Sequence, residues 1–368
     1  MPVQYHYGKF PPDNLNWEAL SKPLVEAAGA LAAYNTFLEL IPNSDILVSP
    51  MMQQEAVASN KIEGTQATVG EVFEYQAGNT DVSASLESDI IEVINYRLAL
   101  DKAADMLSEL PLSGRVLKEA HRVLLNGVRG KLKSPGMYRI EDNWIGSPGS
   151  KIEEAKFVPI KLDLLDYAMF NWETYVNDEE ITPLIKIAVS HAEFESIHPF
   201  YDGNGRIGRM LIPIMLWNEG LLSHPCFYLS SFFDRRNDEY RDKLLCVSRD
   251  NAWTEWCLFF LEAIKTQAID NHVKAKEIFS LNREIKKQLS AETASSGVYP
   301  VVDKLFFSPI FSVSEFIKID DVDAQVARRL LHTLESMGHL VVIRKGSGRR
   351  SAMMAFPKLF EITEGLSF

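Results

Sequence analysis

The 368-residue sequence has only three cysteines, Cys226, Cys246 and Cys257. They form no CxxC pair and no even-numbered framework, which argues against disulfides and against a structural zinc. No apolar stretch approaches the roughly 18 residues that a membrane span needs. The opening MPVQYHYGKF lacks a basic region followed by an apolar run, so it does not read as a signal peptide. Net positive charge is missing too: the formal charge is −12, which excludes a surface that grips nucleic acid all round. There is no internal repeat and no low-complexity tract. These absences predict a soluble, cytoplasmic chain of two or three domains, with 46% hydrophobic residues to build its cores.

What the sequence does have is helical periodicity. WEALSKPLVEAAGALAAYNTFLEL predicts a helix in a stretch otherwise punctuated by Pro and Asn. Helices follow from Met51 through EAVASNKIEG, in LESDIIEVINYRLALDKAADML, and in SGRVLKEAHRVLLNGV with Gly127 as a stop. Residues 130–160 change character and read as two short strands around a turn at 146–149, a hairpin. Thr182-Pro183 then supplies an N-cap and a first-turn proline. The apolar positions Leu184, Ile187, Ala188, Phe194 and Ile197 carry that helix to His198. A further helix follows, with Pro213 predicting a kink. Residues 221–265 read as helical, with Trp253, Trp256, Phe259 and Phe260 as core. After the polar break SAETASSG come helices, then HLVVIR, KGSGRR and SAMMAF as strand, turn and strand, the pattern of a winged helix. The expected division is a helical region over 1–105, a core over 106–265, a linker over 266–297 and a winged-helix-like domain over 298–368.

One stretch, HPFYDGNGRIGR at 198–209, concentrates chemistry between two apolar segments. A turn needs one glycine and an Asn or Asp beside it; this cluster has far more. Gly203, Asn204 and Gly205 precede a helix, so backbone N–H groups and the helix dipole favour an anion there. Arg206 and Arg209, three apart, can fork onto phosphate oxygens. Asp202 is a hard oxygen ligand for Mg²⁺. His198 can take a proton near neutrality. Base, metal ligand, anion cradle and charge clamps are the parts of phosphoryl-group transfer.

The cluster resembles the signature of the Fic family: HxF, any residue, D or E, GNGR, two residues, R. HRVLLNG at 121–127, PGMYR at 135–139 and NWIG at 143–146 resemble family landmarks, so the likeness covers roughly residues 1–265. It implies a mainly helical Fic bundle with a hairpin flap. It implies a protein adenylyltransferase with ATP as substrate and Mg²⁺ as cofactor, moving AMP to a hydroxyl of a target protein or of itself. His198 would be the base, Phe200 an anchor, Asp202 the magnesium ligand, and Gly203, Asn204 and Gly205 the anion hole. Arg206 would assist the phosphates and Arg209 would reach the γ-phosphate. Trp144, Ile145, Gly146, Ser147 and Pro148 would form the flap that aligns the target by strand pairing, and Tyr240 would stack near the adenine.

A second motif, Ser59-Asn-Lys-Ile-Glu63-Gly64, reads by itself as an ordinary helix end. It resembles the family's inhibitory motif, S or T, three residues, E, then G or N. That likeness implies an inhibitory helix at about 51–64, with Glu63 pairing with Arg209 in place of the γ-phosphate. In some relatives this glutamate also serves in removing AMP, so a reverse activity is an alternative. Arg328, Arg329, Arg344, Lys345, Arg349 and Arg350 could meet DNA phosphates. The rival expectation is therefore a DNA-binding regulator with a nucleotide-sensing Fic part, although Asp320, Asp321 and Asp323 would repel phosphate. The architecture is compatible with a homodimer, and His121 and His191 read as packed rather than metal-binding.

Overall fold

The computed structural model describes residues 1–41, 43–147, 149–348 and 350–365. Pro148, expected in the flap, and Arg349, expected in the basic set, lie outside the described residues. The fold is mainly helical. In chain order the described elements are β1 (Val3–Gln4), α1 (Trp17–Glu39), α2 (Asp45–Ile62), α3 (Val69–Gln76), α4 (Ala84–Leu107) and α5 (Gly114–Leu124). Next come β2 (Phe157–Val158), α6 (Leu165–Val176), α7 (Pro183–Ile197), α8 (Asn204–Asn218), α9 (Ser230–Arg235), α10 (Asn237–Asp250) and α11 (Trp253–Glu292). The chain ends with α12 (Val298–Phe307), β3 (Ile310–Ser312), α13 (Val313–Phe316), α14 (Ala324–Ser336), β4 (Val341–Arg344), β5 (Met353–Ala355) and α15 (Pro357–Glu364).

α7 is the central helix. Every residue in it except Pro183 and Glu195 is buried, so it is enclosed all round rather than along one stripe. Two of its embedded charges find close partners: Lys186 pairs with Glu219 at 2.6 Å, and Glu193 accepts from Tyr5 and meets His6 Nε2 at 2.7 Å. Pro183 opens the helix with its missing N–H where no donor is needed. α8 packs beside α7 and runs on through Pro213 to Asn218; the expected kink does not end it. Trp253, Trp256, Phe259 and Phe260 are all core, and the Trp256 indole donates to the Ala188 carbonyl of α7 at 2.7 Å.

Three local readings change. α2 begins at Asp45 rather than near Met51, because Pro50 lies inside it instead of in front of it. Residues 221–229 are irregular, broken by Ser223-His224-Pro225, before the short α9. Among the described residues the 130–160 hairpin is reduced to one antiparallel bridge, Ile145 to Phe157. β2 spends its other edge on the N-terminal strand, pairing in parallel with Val3 and Gln4.

At the C-terminal end, β3, β5 and β4 form an antiparallel sheet in that spatial order. α14 is capped by Asp323, whose carboxylate accepts from the Gln325 and Val326 amides. One apolar core runs from Tyr5 to Leu359 and draws on nearly every helix. α11 crosses residue 265 without a break.

Candidate active site

The HPFYDGNGRIGR stretch spans the α7–α8 junction. His198 caps α7 in the left-handed region, φ 51°, a conformation that costs a non-glycine residue about 1–2 kcal/mol. Several contacts hold it there. Its amide donates to the Phe194 carbonyl at 3.0 Å, and its carbonyl accepts from Arg139 Nε at 3.2 Å. Gly203, φ 79°, makes the second sharp turn; here glycine is required. Phe200 is fully buried. The Asn204 side chain folds back to brace it, accepting from the Phe200 amide at 2.9 Å and donating to its carbonyl at 2.8 Å.

His121, from α5, clamps the other side of this loop. Its ring stacks on Phe200 with centroids 3.8 Å apart. The Gly136 amide donates to its Nδ1 at 2.9 Å, which leaves Nε2–H to donate to the Asp202 carbonyl, also at 2.9 Å. That arrangement defines a neutral tautomer, and burial lowers the His121 pKa to about 4.

The two signature arginines do not converge on one point. Arg206 is buried and bound to Glu92 of α4 at 3.1 Å and to Asp202 at 3.4 Å. Arg209 is buried against the end of α2. Its Nε donates to Ser59 Oγ at 3.0 Å, and its Nη2 to the Ser59 carbonyl at 2.9 Å and to Glu63 Oε1 at 2.7 Å. Glu63 caps α2, and Gly64 follows with φ 98° to turn the chain away. Burial opposes the charge on both partners, but each sustains the other's. Arg209, helped by Arg206 and Arg241, holds Glu63 below the ordinary carboxylate pKa, and Arg209 is raised in turn. A side chain at Gly205 would collide with the Glu63 carboxylate.

A cavity of about 440 Å³ opens beside this pair. His198, Arg209, Glu63, Gly205, Ile145 and Tyr240 are among its walls, so α2, α7, α8, α10 and the loop at 143–147 all contribute. Burial pushes the His198 pKa down to about 4, against the Glu195 carbonyl and the nearby carboxylates that favour its cation. The imidazole is therefore neutral at pH 7 and free to accept a proton. Tyr240 borders the cavity but is 3% exposed. One ring face stacks on Phe233 at 4.4 Å, and its hydroxyl meets His191 Nε2 at 2.8 Å, which leaves little ring for an adenine. In the segment expected as the flap, Ile145 borders the cavity, the Trp144 indole donates to the Ser150 carbonyl at 3.0 Å, and the Ser147 carbonyl accepts from the Ser150 amide at 3.0 Å. Gly146 lies too close to Ser150 to carry a side chain without displacing it.

Among the described residues no group of three His, Cys, Asp or Glu could cage a metal. Asp202 is the carboxylate that the signature places beside the α8 N-terminus. Its Oδ1 accepts from the Gly203 amide at 2.7 Å and from Arg206, while its Oδ2 accepts no hydrogen bond among the described residues. A single half-exposed carboxylate fits a magnesium ion that arrives on phosphates, which supply most of its ligands.

Two groups here are not prominent in the sequence. Glu195 lines the cavity with Oε1 buried and unpartnered, and Glu92 holds Arg206. Each looks like a solvated glutamate on a helix. For Glu195 the surrounding run of buried-type residues was the available signal.

Comparison with known proteins places this geometry in a family. Residues 21–105 match the Fic/DOC family N-terminal domain, and residues 111–216 match the Fic/DOC family domain. A probable protein adenylyltransferase of Aquifex aeolicus is 47% identical over 47 residues, 13% of this chain and 15% of that protein. The protein adenylyltransferase fic-1 of Caenorhabditis elegans is 27% identical over 74 residues, 19% of this chain and 15% of that protein. The chain thus spans about 15% of the length of the curated relatives it matches. A solved Fic family protein from Desulfovibrio desulfuricans superposes with a TM-score of 0.61 at 19% identity, covering 94% of this chain and 98% of that one. A Fic-domain-containing signaling protein from Bacteroides thetaiotaomicron gives 0.57 at 21% identity, covering 68% and 96%. The last two likenesses concern the fold. The two matched segments show that this chain carries a Fic/DOC family N-terminal domain followed by a Fic/DOC family domain.

Proposed function

We propose that the chain is a protein adenylyltransferase, self-restrained by Glu63. The observation that carries this reading is the Glu63–Arg209 pair, 2.7 Å apart, in the same cavity as a neutral, half-buried His198. A target hydroxyl attacks the α-phosphorus of ATP. The new oxygen–phosphorus bond forms as the bond to the bridging oxygen of the β-phosphate breaks, and pyrophosphate leaves. The hydroxyl proton passes to the His198 imidazole. First-turn amides of α8 face the phosphates. Magnesium held at Asp202 would neutralise part of their charge. Arg209 offers one guanidinium to either of two anions, the Glu63 carboxylate or the γ-phosphate. The carboxylate, tethered on α2, competes at high effective concentration.

The flap reading rests on Ile145, which borders the cavity and whose backbone is bridged to Phe157. We read 298–368 as a winged helix, α12 to α14 followed by the β4–β5 pair with KGSGRR between them. Removal of AMP is the second reading, because Glu63 is 39% exposed beside the cavity that His198 lines.

Label transfer tests the proposal. Wild type, Glu63→Gly and Glu63→Gly/His198→Ala are given ATP labelled at the α- or the γ-phosphate. The α-label alone is expected on protein, at least about tenfold stronger in Glu63→Gly because a tethered competitor is gone, and absent from the double variant. Equal labelling by wild type and Glu63→Gly would remove the regulatory half, and γ-label on protein would mean a kinase-like reaction instead. Random duplex DNA at low salt, with Arg350→Ala as control, tests the DNA-binding alternative; no retention retires it.

A further inference from the structure

Arg139 is buried completely at its side chain, yet among the described residues no buried carboxylate neutralises it. The nearest is Asp142, 3.6 Å away and itself 59% exposed. Burial lowers the Arg139 pKa, and Asp142 only partly restores it. The guanidinium instead spends its donors on backbone carbonyls. Nε donates to His198 at 3.2 Å, Nη1 to Glu141 at 3.1 Å, and Nη2 to Ile160. Its own amide donates to the Pro199 carbonyl at 2.8 Å.

Those carbonyls belong to three different places. Glu141 is where the chain enters the flap, Ile160 is where it leaves, and His198–Pro199 is the loop that carries the base. Smaller contacts repeat the connection. The Ile140 amide donates to the Tyr201 hydroxyl at 3.0 Å, the Asn143 side chain donates to the Phe200 carbonyl at 3.3 Å, and the Leu162 amide donates to Asp142 at 2.8 Å. A planar guanidinium fixes its acceptors at set angles, which an ammonium does not.

We propose that Arg139 is a positioning residue that registers the flap against His198, so that both roots of the flap and the base move as one body. The reason is geometric. Under the proposed reaction, on which this inference rests, the flap presents the hydroxyl and α7 presents the base. Two separate segments must then agree to within a fraction of an ångström, and one fork ties them. The same contacts hold His198 in its left-handed conformation.

The test uses Arg139→Lys and Arg139→Ala, each in the full chain carrying Glu63→Gly. Nucleotide affinity is read by calorimetry, transfer by α-label, and backbone coupling by hydrogen exchange over 141–147, 156–162 and 198–202. Nucleotide affinity should stay within about threefold while transfer falls about 100-fold, the cost of a misplacement near 1 Å. Exchange should quicken in all three segments together, and added guanidinium should restore part of the transfer in Arg139→Ala. Unchanged transfer would overturn the proposal. So would faster exchange in the flap segments with 198–202 unaltered, or nucleotide affinity and transfer falling in parallel. If Arg139→Ala does not fold, Arg139→Lys carries the same three readouts. Should the Glu63→Gly parent transfer nothing, the adenylyltransferase reading fails by itself, and the exchange pattern still decides the role of Arg139.

Discussion

A histidine buried at the end of a helix loses its proton early on the pH scale, because the cation is the form that burial penalises. For His198 this places the pKa at about 4. The imidazole is the working base only above that value, so transfer by Glu63→Gly should be level from pH 8 to about pH 6 and fall only in more acid solution. Initial rates across that range measure it; a limb centred near 6.5 would mean the ring is hydrated in the working enzyme. Glu195, three residues earlier, shows the opposite sign. Burial raises it to about 7, and its carboxylate lies against Gly208, where a side chain would collide with it. A raised carboxylate pKa opposes folding only where the group is ionised, fully above the folded value and not at all below the unfolded one near 4.5. Glu195→Gln should therefore raise the Tm at pH 8, by about 2–4 °C, and much less at pH 5. An equal shift at both would show that Glu195 is already neutral or well solvated at pH 8. His198 was legible in the sequence because its partners are contiguous with it. Glu195 was not, because its environment is set by Gly208 and Arg209 on a neighbouring helix.

At the scale of the element, α2 carries Glu63 to the cavity, and what fixes α2 decides where Glu63 stands. Its anchor is Glu55, 3% exposed. The Leu229 and Ser230 amides donate to it at 2.9 and 2.8 Å, the Ser230 hydroxyl adds a short bond, and Tyr96 donates at 3.3 Å. Glu55→Ala would strand these donors in a dry site, at about 1–3 kcal/mol for each one left unpaired. α2 should then exchange its amides faster, and label transfer should rise although Glu63 is intact. Faster exchange without more transfer would mean that Ser59 and Arg209 hold Glu63 unaided. The sequence allowed the end of α2 to be read, since Glu63-Gly64 is a helix stop whatever its function. Its start was obscured by Pro50, which reads as a breaker until tertiary packing outweighs it. The hairpin at 130–160 was legible only in outline. Turn residues at 146–149 promise two strands, of which the described residues keep the Ile145–Phe157 bridge, while β2 also pairs with residues from the far N-terminus, a pairing that local pattern does not contain.

Across the whole molecule the C-terminal unit is not a free appendage. α12 and α15 pack on α2, and Ile310, Met353, Ala355 and Phe360 share an apolar cluster with Val69 and Phe73 of α3. α11, highly charged between residues 271 and 288, invites reading as a linker. Yet Ala268, Ala275, Ile278, Ile285 and Leu289 are all buried along it, spaced for one helical face. The polar break at SAETASSG was legible from composition, whereas the continuity of the core on either side of it was not. Since one apolar cluster of the described residues spans both sides of that break, heating should unfold the chain in one cooperative transition, with calorimetric and van't Hoff enthalpies in agreement. Removing residues 293–368 would uncover Val69, Phe73 and the outer side of α2, and should lower the Tm of the remainder by about 5 °C or more. Two separate transitions in the intact chain, with the first missing after truncation and the second unmoved, would instead mark the C-terminal unit as independently folded, and would cut any mechanical link from it to Glu63.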